Sequence, residues 1–236
     1  MAINKKFVPN SKIRRISSFL GRLMFWFFTV TLLWVLAYRF INPPVTWLMI
    51  QRGFEQKAAG KEWIFQKKWK NIEKLSSNLK KAAIGGEDAN FLTHNGFDVE
   101  AIEKAYKKNQ SGSKMRGGST ISQQTAKNVF LWPGRSWVRK GFEVYFTSLI
   151  EILWGKKRIM EVYLNVVEVG DGLYGAEVAS RKYFDKSSEN LTRRQASLLI
   201  SILPSPQRWS PVKPTNYINR KVYKIQRNMS VVKLPF

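Results

Sequence analysis

The feature that most constrains this chain is a long apolar run without any charge, from Leu23 to Tyr38. The arginines that flank it can extend their charged ends towards a membrane surface, so that the apolar segment effectively continues to Ile41. That length matches the roughly 20 residues that a helix needs to cross a bilayer. We therefore predict a single transmembrane anchor over residues 19–41.

The charges before the anchor indicate its orientation. None is acidic, and by the positive-inside tendency the basic tail, residues 1–18, lies in the cytoplasm and the chain after the anchor lies outside. A cleaved signal peptide has a similar layout, but residues 40–44 (Phe-Ile-Asn-Pro-Pro) are bulky and rigid where a cleavage site needs small residues. We favour an uncleaved anchor. The basic residues that precede the uncharged run are Lys5, Lys6, Lys12, Arg14, Arg15 and Arg22.

A membrane-proximal segment, residues 42–75, follows the anchor. Pro43 and Pro44 end the anchor helix, because proline cannot continue a helix and restricts the residue before it. The apolar residues 45–50 fit either the first core helix of the following domain or a surface that enters the outer leaflet. Different faces of one helix can serve both purposes, and the sequence leaves the two interpretations open.

The composition narrows the class of protein. The chain has no cysteine, which excludes disulfides and thiolate metal sites. Beyond Arg39 it carries 33 Lys and Arg against 16 Asp and Glu, a balance that indicates a polyanionic partner. Nucleic acid is disfavoured, because the anchor holds the domain outside the cytoplasm and no nucleic-acid module is recognisable. Anionic lipid headgroups and a phosphate-bearing substrate remain.

Two polar blocks are hard to explain as packing. Residues 87–98 have the sequence Glu-Asp-Ala-Asn-Phe-Leu-Thr-His-Asn-Gly-Phe-Asp, and residues 117–128 have the sequence Gly-Gly-Ser-Thr-Ile-Ser-Gln-Gln-Thr-Ala-Lys-Asn. Such side chains compete with the backbone for hydrogen bonds and weaken helices. Their concentration predicts that the chemistry of the chain lies here.

The blocks resemble the peptidoglycan glycosyltransferases of bacterial cell walls, glycosyltransferase family 51. The shared pattern is E-D-x-x-F-x-x-H-x-G-F-D followed by G-G-S-T-I-S-Q-Q-x-x-K-N, and residues 139–143 and 161–165 fit the same family in the same order. The resemblance runs from about Ser76 to about Pro211. It implies a mainly α fold, with a lysozyme-like globular lobe and a small membrane-proximal lobe, and a glycosyltransferase domain over residues 76–236. Because the chain is short, we expect the monofunctional biosynthetic form.

The resemblance also implies an activity and a place. The enzyme would polymerise lipid II into glycan strands, inverting the sugar linkage and releasing polyprenyl diphosphate. Its partners would be lipid II, the growing lipid-linked glycan and the membrane, and proteins of cell-wall synthesis or division are further candidates. It would be a single-pass protein of the bacterial cytoplasmic membrane with its catalytic domain on the periplasmic side.

Two carboxylates carry the expected chemistry. The resemblance makes Glu87 the base that deprotonates the 4-hydroxyl of the acceptor sugar, and burial beside Asp88 would raise its pKa towards the working pH. Glu143 is expected to assist departure of the leaving group or to orient cations. An ordinary surface ion pair with Arg139 and Lys140, within one helical turn, is the alternative for Glu143.

The resemblance also implies a pyrophosphate cradle beside these carboxylates, and a capped helix with a solvated face is the alternative for one or two of its residues. Its helix would start near Ser119 or Thr120 and present hydroxyls and free N–H groups to phosphate. No cofactor is required, no carboxylate cage for a metal is evident, and a divalent cation such as Mg²⁺ or Mn²⁺ is treated as optional. The expected substrate-binding residues are Ser119, Thr120, Gln124, Lys127, Asn128, Arg135, Arg139 and Lys140.

The remaining polar residues of the first block are expected to support the site. A lone histidine such as His94 is more often a hydrogen-bonded structural residue than a catalytic one, and Asp88 is expected to fix the Glu87 loop. Two other functions stay open: a membrane-anchored lytic glycosidase, which also needs a carboxylate in a helical cleft, and a cell-wall or polyanion-binding protein.

Local patterns predict the elements around the site. Helices are expected from near 119 or 120 to 130 and over 136–153, 156–166 and 192–203. The pair Gly85-Gly86 is expected to break the helix that precedes Glu87, and residues 109–118 are expected to form a mobile loop. No strand pattern of useful length is evident.

Overall fold

The computed structural model describes residues 11–103 and 118–236, and within these ranges the fold is mainly α, as predicted. Most of the expected loop 109–118 therefore lies outside the described residues. The helices are α1 (Ser11–Phe40), α2 (Trp47–Ala58), α3 (Ser77–Glu87), α4 (Ile121–Phe130), α5 (Trp137–Leu153), α6 (Gly155–Val166), α7 (Ala176–Phe184), α8 (Arg193–Ile202) and α9 (Asn216–Met229). Short 3₁₀ turns cover Ile72–Lys74 and Ser188–Asn190.

The anchor prediction corresponds to α1. Within the described residues it is the one helix long and apolar enough to cross a membrane, over Arg15–Phe40. Most of its large apolar side chains are exposed, as expected of a surface that meets lipid. Val35 is different, because it is completely buried against the rest of the protein.

Two groups of helices form the body of the protein. In one group α3, α8 and α9 pack on one another, and in the other α4 packs between α5 and α6. The predicted helices near 120–130, 136–153, 156–166 and 192–203 are confirmed to within one or two residues. Their apolar stripes build one continuous core that also contains Ile72, Leu75 and Phe91.

The prediction that Gly85 and Gly86 break the helix before Glu87 is wrong, because α3 continues through both of them. A Cβ atom on Gly86 would lie 2.7 Å from Ile200 Cγ2, and one on Gly85 would lie 3.1 Å from Asn228 Cβ. The two glycines therefore allow α8 and α9 to approach α3 closely. Their effect is on packing and not on the backbone direction.

A small sheet of three strands was not predicted. Its order is β1 (Gln66–Lys67), β3 (Leu173–Tyr174) and β2 (Glu168–Gly170), with β1 parallel and β2 antiparallel to β3. Strands of two or three residues are too short to show an alternating pattern in the sequence. Since β1 belongs to the membrane-proximal segment 42–75, the sheet joins that segment to the larger lobe.

Residues 47–50, within the segment left open as 45–50, form the start of α2, whose faces differ in burial. Met49, Gly53 and Gln56 are buried against the body, whereas Trp47 and Phe54 are exposed. The helix begins at a Thr46 cap whose hydroxyl accepts a hydrogen bond from the backbone N–H of Met49.

Candidate active site

A large open cleft lies where α2, α3, α4 and α9 meet. It encloses about 1040 Å³ and is lined by polar and apolar side chains from all four helices. An adjoining, smaller cavity of about 250 Å³ lies between α2 and the turn that follows α4. Leu48, Lys127, Asn128 and Arg135 line both cavities, which therefore form one continuous depression.

Glu87, the last residue of α3, lies in the wall of the large cleft. Its Oε2 accepts a hydrogen bond from Gln124 Nε2 at 3.3 Å, and Gln124 Oε1 accepts one from the hydroxyl of the buried Tyr163, also at 3.3 Å. Gln124 is thereby held from behind and fixes the orientation of the carboxylate.

The pKa of Glu87 is raised, and burial of the carboxylate is the main cause. The positive charge of Lys221, the hydrogen bond from Gln124 and the charge of Lys127 oppose this shift, and the charge of Asp88 adds slightly to it. A raised pKa brings the carboxylate closer to the pH at which general bases work best.

Asp88 and His94 form the support behind Glu87, in agreement with the structural role expected of them. His94 Nε2 lies 3.0 Å from both carboxylate oxygens of Asp88, and His94 Nδ1 accepts a hydrogen bond from the N–H of Gly96 at 3.1 Å. Because Nδ1 accepts, the proton of the neutral ring is on Nε2 and is donated to Asp88. Asp88 Oδ2 also accepts the N–H of Ile121, the first residue of α4.

The hydroxyl of Thr120, an expected phosphate ligand, lies in a helix cap, and Thr120 is not among the residues that line the cleft. Its hydroxyl is buried, donates to the carbonyl of Gly96 at 2.6 Å and accepts the N–H of Gln123 at 3.1 Å, and the N–H of Thr120 is bound by Gln123 Oε1. This is a capping box. With Asp88 at the N–H of Ile121, protein groups already occupy the start of α4. Ser119, which lines the large cleft, remains available.

The predicted basic residues line different parts of this depression. Lys127 and Arg135 line both cavities together with Asn128, whereas Arg139 lines the smaller cavity alone. The pKa of Lys127 is lowered, chiefly by burial, while the charges of Glu143 and Glu87 oppose the shift. Lys127 is thus within electrostatic reach of both predicted carboxylates.

Glu143 is buried and lies next to two basic side chains on α5. Lys140 Nζ lies 2.5 Å from Glu143 Oε1, and Arg139 Nη1 lies 3.8 Å from Glu143 Oε2. The Nε of Arg139 is buried without a hydrogen-bond partner. The ion pair that formed the alternative interpretation exists, but the carboxylate is 3% exposed, so the pair is not an ordinary surface contact.

Comparison with known proteins gives the family of the chain. A family model described as Transglycosylase matches residues 57–230, which is most of the chain and more than the part we had recognised. The chain belongs to the transglycosylase family.

Relatives that match most of the chain support this assignment. A biosynthetic peptidoglycan transglycosylase of Caulobacter vibrioides is 52% identical over 199 residues, covering 84% of each chain. One of Bacteroides thetaiotaomicron is 46% identical over 220 residues, covering 93% of this chain and 89% of the relative. One of Bdellovibrio bacteriovorus is 51% identical over 193 residues, covering 81% and 77%.

The transglycosylase cleft contains cationic residues that the sequence motifs did not indicate. Lys221 and Lys224, on α9, line its far wall, and Arg52 lines it from α2. Lys221 Nζ donates to the carbonyl of Ser201 at 3.1 Å. Burial lowers the pKa of Lys221, while the charge of Glu87 opposes the shift. One signal was present in the sequence: no Asp or Glu follows Glu189, so α9 is a basic helix.

Residues that could hold a metal ion were sought across the described part of this transglycosylase. Residues 11–103 and 118–236 contain no group of three or more histidine and acidic side chains close enough to bind one ion. The carboxylate of Glu143 is already engaged by Lys140.

Proposed function

We propose that this chain polymerises the lipid-linked disaccharide precursor of peptidoglycan, lipid II, into glycan strands. The observation that carries the proposal is the pairing of one oriented carboxylate, Glu87, with the cations Lys127, Arg135 and Lys221 in a single cleft. Sugar transfer from a diphosphate donor needs a base for the acceptor and positive charge for the leaving group. The cleft contains both, in a chain whose relatives are named for this activity.

In the proposed reaction Glu87 accepts the proton of the acceptor sugar's 4-hydroxyl. The oxygen attacks the anomeric carbon of the donor from the face opposite the diphosphate, which gives inversion. The bond between that carbon and the diphosphate oxygen breaks, and its electron pair leaves with polyprenyl diphosphate. Lys127 and Arg135 stabilise the negative charge that develops on this leaving group.

Glu143 is proposed to act through the cations around it. Its carboxylate pairs with Lys140, lies 3.8 Å from Arg139, which lines the smaller cavity, and is within electrostatic reach of Lys127. A buried negative charge among three basic groups attracts them and orients them while the site is empty. Diphosphate is already a good leaving group, so orienting the cations matters more than supplying a proton.

The proposed location is the bacterial cytoplasmic membrane, with α1 as a single span. The basic residues before the span favour a cytoplasmic N-terminus and a periplasmic catalytic domain. The exposed Trp47 and Phe54 of α2, which follow the span directly, suit contact with the outer leaflet. This position would give the cleft access to a substrate that remains anchored in lipid. Partner proteins of cell-wall synthesis or division remain a prediction.

The two alternative functions are less well supported. A lytic glycosidase uses water as the acceptor and has no need for several cations around its carboxylate. A polyanion-binding protein needs the cations but not a carboxylate whose pKa is raised and whose orientation is fixed by Gln124.

The test is the variant Glu87→Gln assayed for polymerisation of purified lipid II. The amide is nearly isosteric and cannot accept the proton, so we expect activity to fall by at least ~100-fold while thermal unfolding is unchanged. Glu189→Gln, which changes an exposed glutamate far along the chain, is the matched control and should retain full activity. Near-normal activity of Glu87→Gln would refute the mechanism, and a product shortened by hydrolysis would favour the glycosidase.

A further inference from the structure

The connection between α8 and α9 forms an apolar wall of the large cleft. Leu203, Pro204 and Pro206 line the cleft there. Backbone and side-chain hydrogen bonds hold this connection in place. The carbonyl of Ser205 accepts the N–H groups of Arg208 and Trp209, and the side chain of Gln207 donates to Glu168 Oε1 at 3.0 Å. This wall is therefore rigid before any substrate binds.

Glu168 links the α8–α9 connection to α2, on the other side of the cleft. Its carboxylate is buried and accepts two hydrogen bonds from Arg52 of α2, at 3.0 and 3.3 Å, in addition to the one from Gln207. Paired Arg–carboxylate contacts of this kind are strong and directional. The position of the α8–α9 connection is thus tied to α2 as well as to β2.

The connection ends at an aromatic pair on the rim of the cleft. Tyr217, in the first turn of α9, lines the cleft and is 51% exposed. The Trp209 ring lies 5.5 Å from the Tyr217 ring at an interplanar angle of 44°. Trp209 in turn packs on the buried cluster of Leu198, Ile202, Ile218 and Val222. Trp209 therefore supports Tyr217 from the protein side, and the phenol ring remains open to the cleft.

The side chains next to Tyr217 limit the class of ligand that can bind at this wall. Lys221 and Lys224 follow at i+4 and i+7, so that all three side chains share one face of α9. A diphosphate would use the amines but not the ring or the prolines, and an isoprenoid tail would use the apolar groups but not the amines. A pyranose uses both, because its C–H face is attracted to the negative face of an aromatic ring and its hydroxyl and amide edge binds polar groups.

We propose that Tyr217, positioned by Trp209, is a stacking platform for a sugar ring of the glycan strand within the large cleft. This inference rests on the proposed function, because only a saccharide substrate would bring a pyranose to this wall. Tyr217 contacts the sugar directly, and Trp209 acts through Tyr217.

The experiment separates sugar stacking from diphosphate binding. The probe is a short β-linked oligomer of N-acetylglucosamine, which has no diphosphate, lipid or peptide, titrated against the full chain in detergent micelles. We expect Tyr217→Ala to weaken binding by about fivefold or more, in line with the energy of a well-placed aromatic contact. Tyr217→Phe should bind like the unchanged protein, because it retains the ring.

Matched variants distinguish a local effect from a general one. Tyr223→Ala removes a tyrosine of the same helix that is 71% exposed and does not line the cleft, and it should leave oligomer binding unchanged. Trp209→Ala should weaken binding and Trp209→Phe should restore it, with thermal unfolding measured for both. In the polymerisation assay Tyr217→Ala should raise KM with little change in kcat.

Several outcomes would overturn the platform. These are the absence of oligomer binding to the unchanged protein, equal losses in Tyr217→Ala and Tyr223→Ala, or full binding by Tyr217→Ala. Loss of polymerisation in Glu87→Gln tests the proposed function separately, since that variant removes the base and not the platform. An active enzyme whose Tyr217→Ala variant binds sugar normally would therefore reject the platform and leave the proposed function intact.

Discussion

At the scale of single residues, the electrostatic environment of Glu87 is the feature most open to experiment. Burial raises its pKa, and the largest opposing contribution comes from Lys221 on the far wall of the cleft. The base is active only when deprotonated. The catalytic rate must therefore fall as the pH drops through this raised pKa, at a higher pH than for an ordinary exposed glutamate.

Replacing Lys221 by methionine should make this dependence stronger. Loss of the positive charge raises the pKa of Glu87 further, so the acid limb of kcat/KM against pH should move to higher pH. The activity of Lys221→Met relative to the unchanged enzyme should consequently decrease as the pH is lowered. Lys186→Met, at an exposed position outside the cleft, is the control and should leave the profile in place. A loss of activity that is the same at every pH would mean that Lys221 does not act on Glu87.

The residues of the site differ in how well the sequence predicted them. Glu87, Gln124 and Lys127 were predicted because they lie in the two short motifs that carry the family resemblance. The sequence could not decide the role of Thr120, because a capping hydroxyl and a phosphate-binding hydroxyl occur in the same sequence context. Lys221 was missed because it comes from a helix more than a hundred residues away, and only the packing of α9 on α3 brings it to Glu87.

At the scale of elements, helix boundaries were easier to predict than helix contacts. The apolar periodicity and the capping residues gave α4 to α6 and α8 within one or two residues. The same reasoning failed at Gly85 and Gly86, because a glycine that ends a helix and a glycine at a close contact between helices look the same in the sequence. Which of the two applies depends on the neighbours in space, Ile200 and Asn228.

The packing role of Gly86 can be tested with a second helical glycine as the reference. In Gly86→Ala the new Cβ would lie 2.7 Å from Ile200 Cγ2 and 3.2 Å from Ile225 Cδ1, so the Ile200 side chain or the helix that carries it must shift. We expect a loss of about 1–3 kcal/mol in the free energy of unfolding, typical of overpacking. Gly141→Ala, in α5, places its Cβ in open space and should be neutral or stabilise by up to about 1 kcal/mol. Equal effects in thermal unfolding would show that Gly86 is not a packing residue.

At the scale of the whole molecule, the anchor helix α1 packs directly against the catalytic domain as well as being connected to it through the chain. The indole N–H of Trp154 donates to the carbonyl of Val35 at 2.8 Å, and Thr31 and Tyr145 share a hydrogen bond of 2.7 Å. Arg158 donates to the carbonyls of Tyr38 and Ile41 near the end of α1. The sequence did not predict this joint, because an apolar run that faces lipid and one that faces protein have the same composition.

The aromatic side chains at this joint extend the core of the domain onto α1. Trp34 contacts Phe130 at a ring distance of 5.2 Å, and Phe130 stacks on Phe146 at 4.7 Å. The last part of α1, residues 31–40, therefore covers apolar surface that the domain cannot cover alone. Its first part, residues 11–30, meets the body mainly through Phe27 and Phe28, whose rings lie 5.9 and 5.7 Å from that of Tyr145.

Two truncations should therefore behave differently. Removing residues 1–30 retains Trp34, Val35 and Tyr38, and we expect the free energy of unfolding in detergent to change by less than about 1 kcal/mol. Removing residues 1–41 exposes Phe130 and Phe146 and deprives Trp154 of its acceptor. Burial of a single Val or Phe side chain contributes about 1.5–3 kcal/mol, so a loss of at least about 3 kcal/mol is expected. For a domain of this size that corresponds to a decrease in Tm of roughly 6–12 °C. Equal Tm values for the two truncated proteins would mean that α1 is only a tether, and that the contacts of Val35 and Trp154 add nothing to the stability of the catalytic domain.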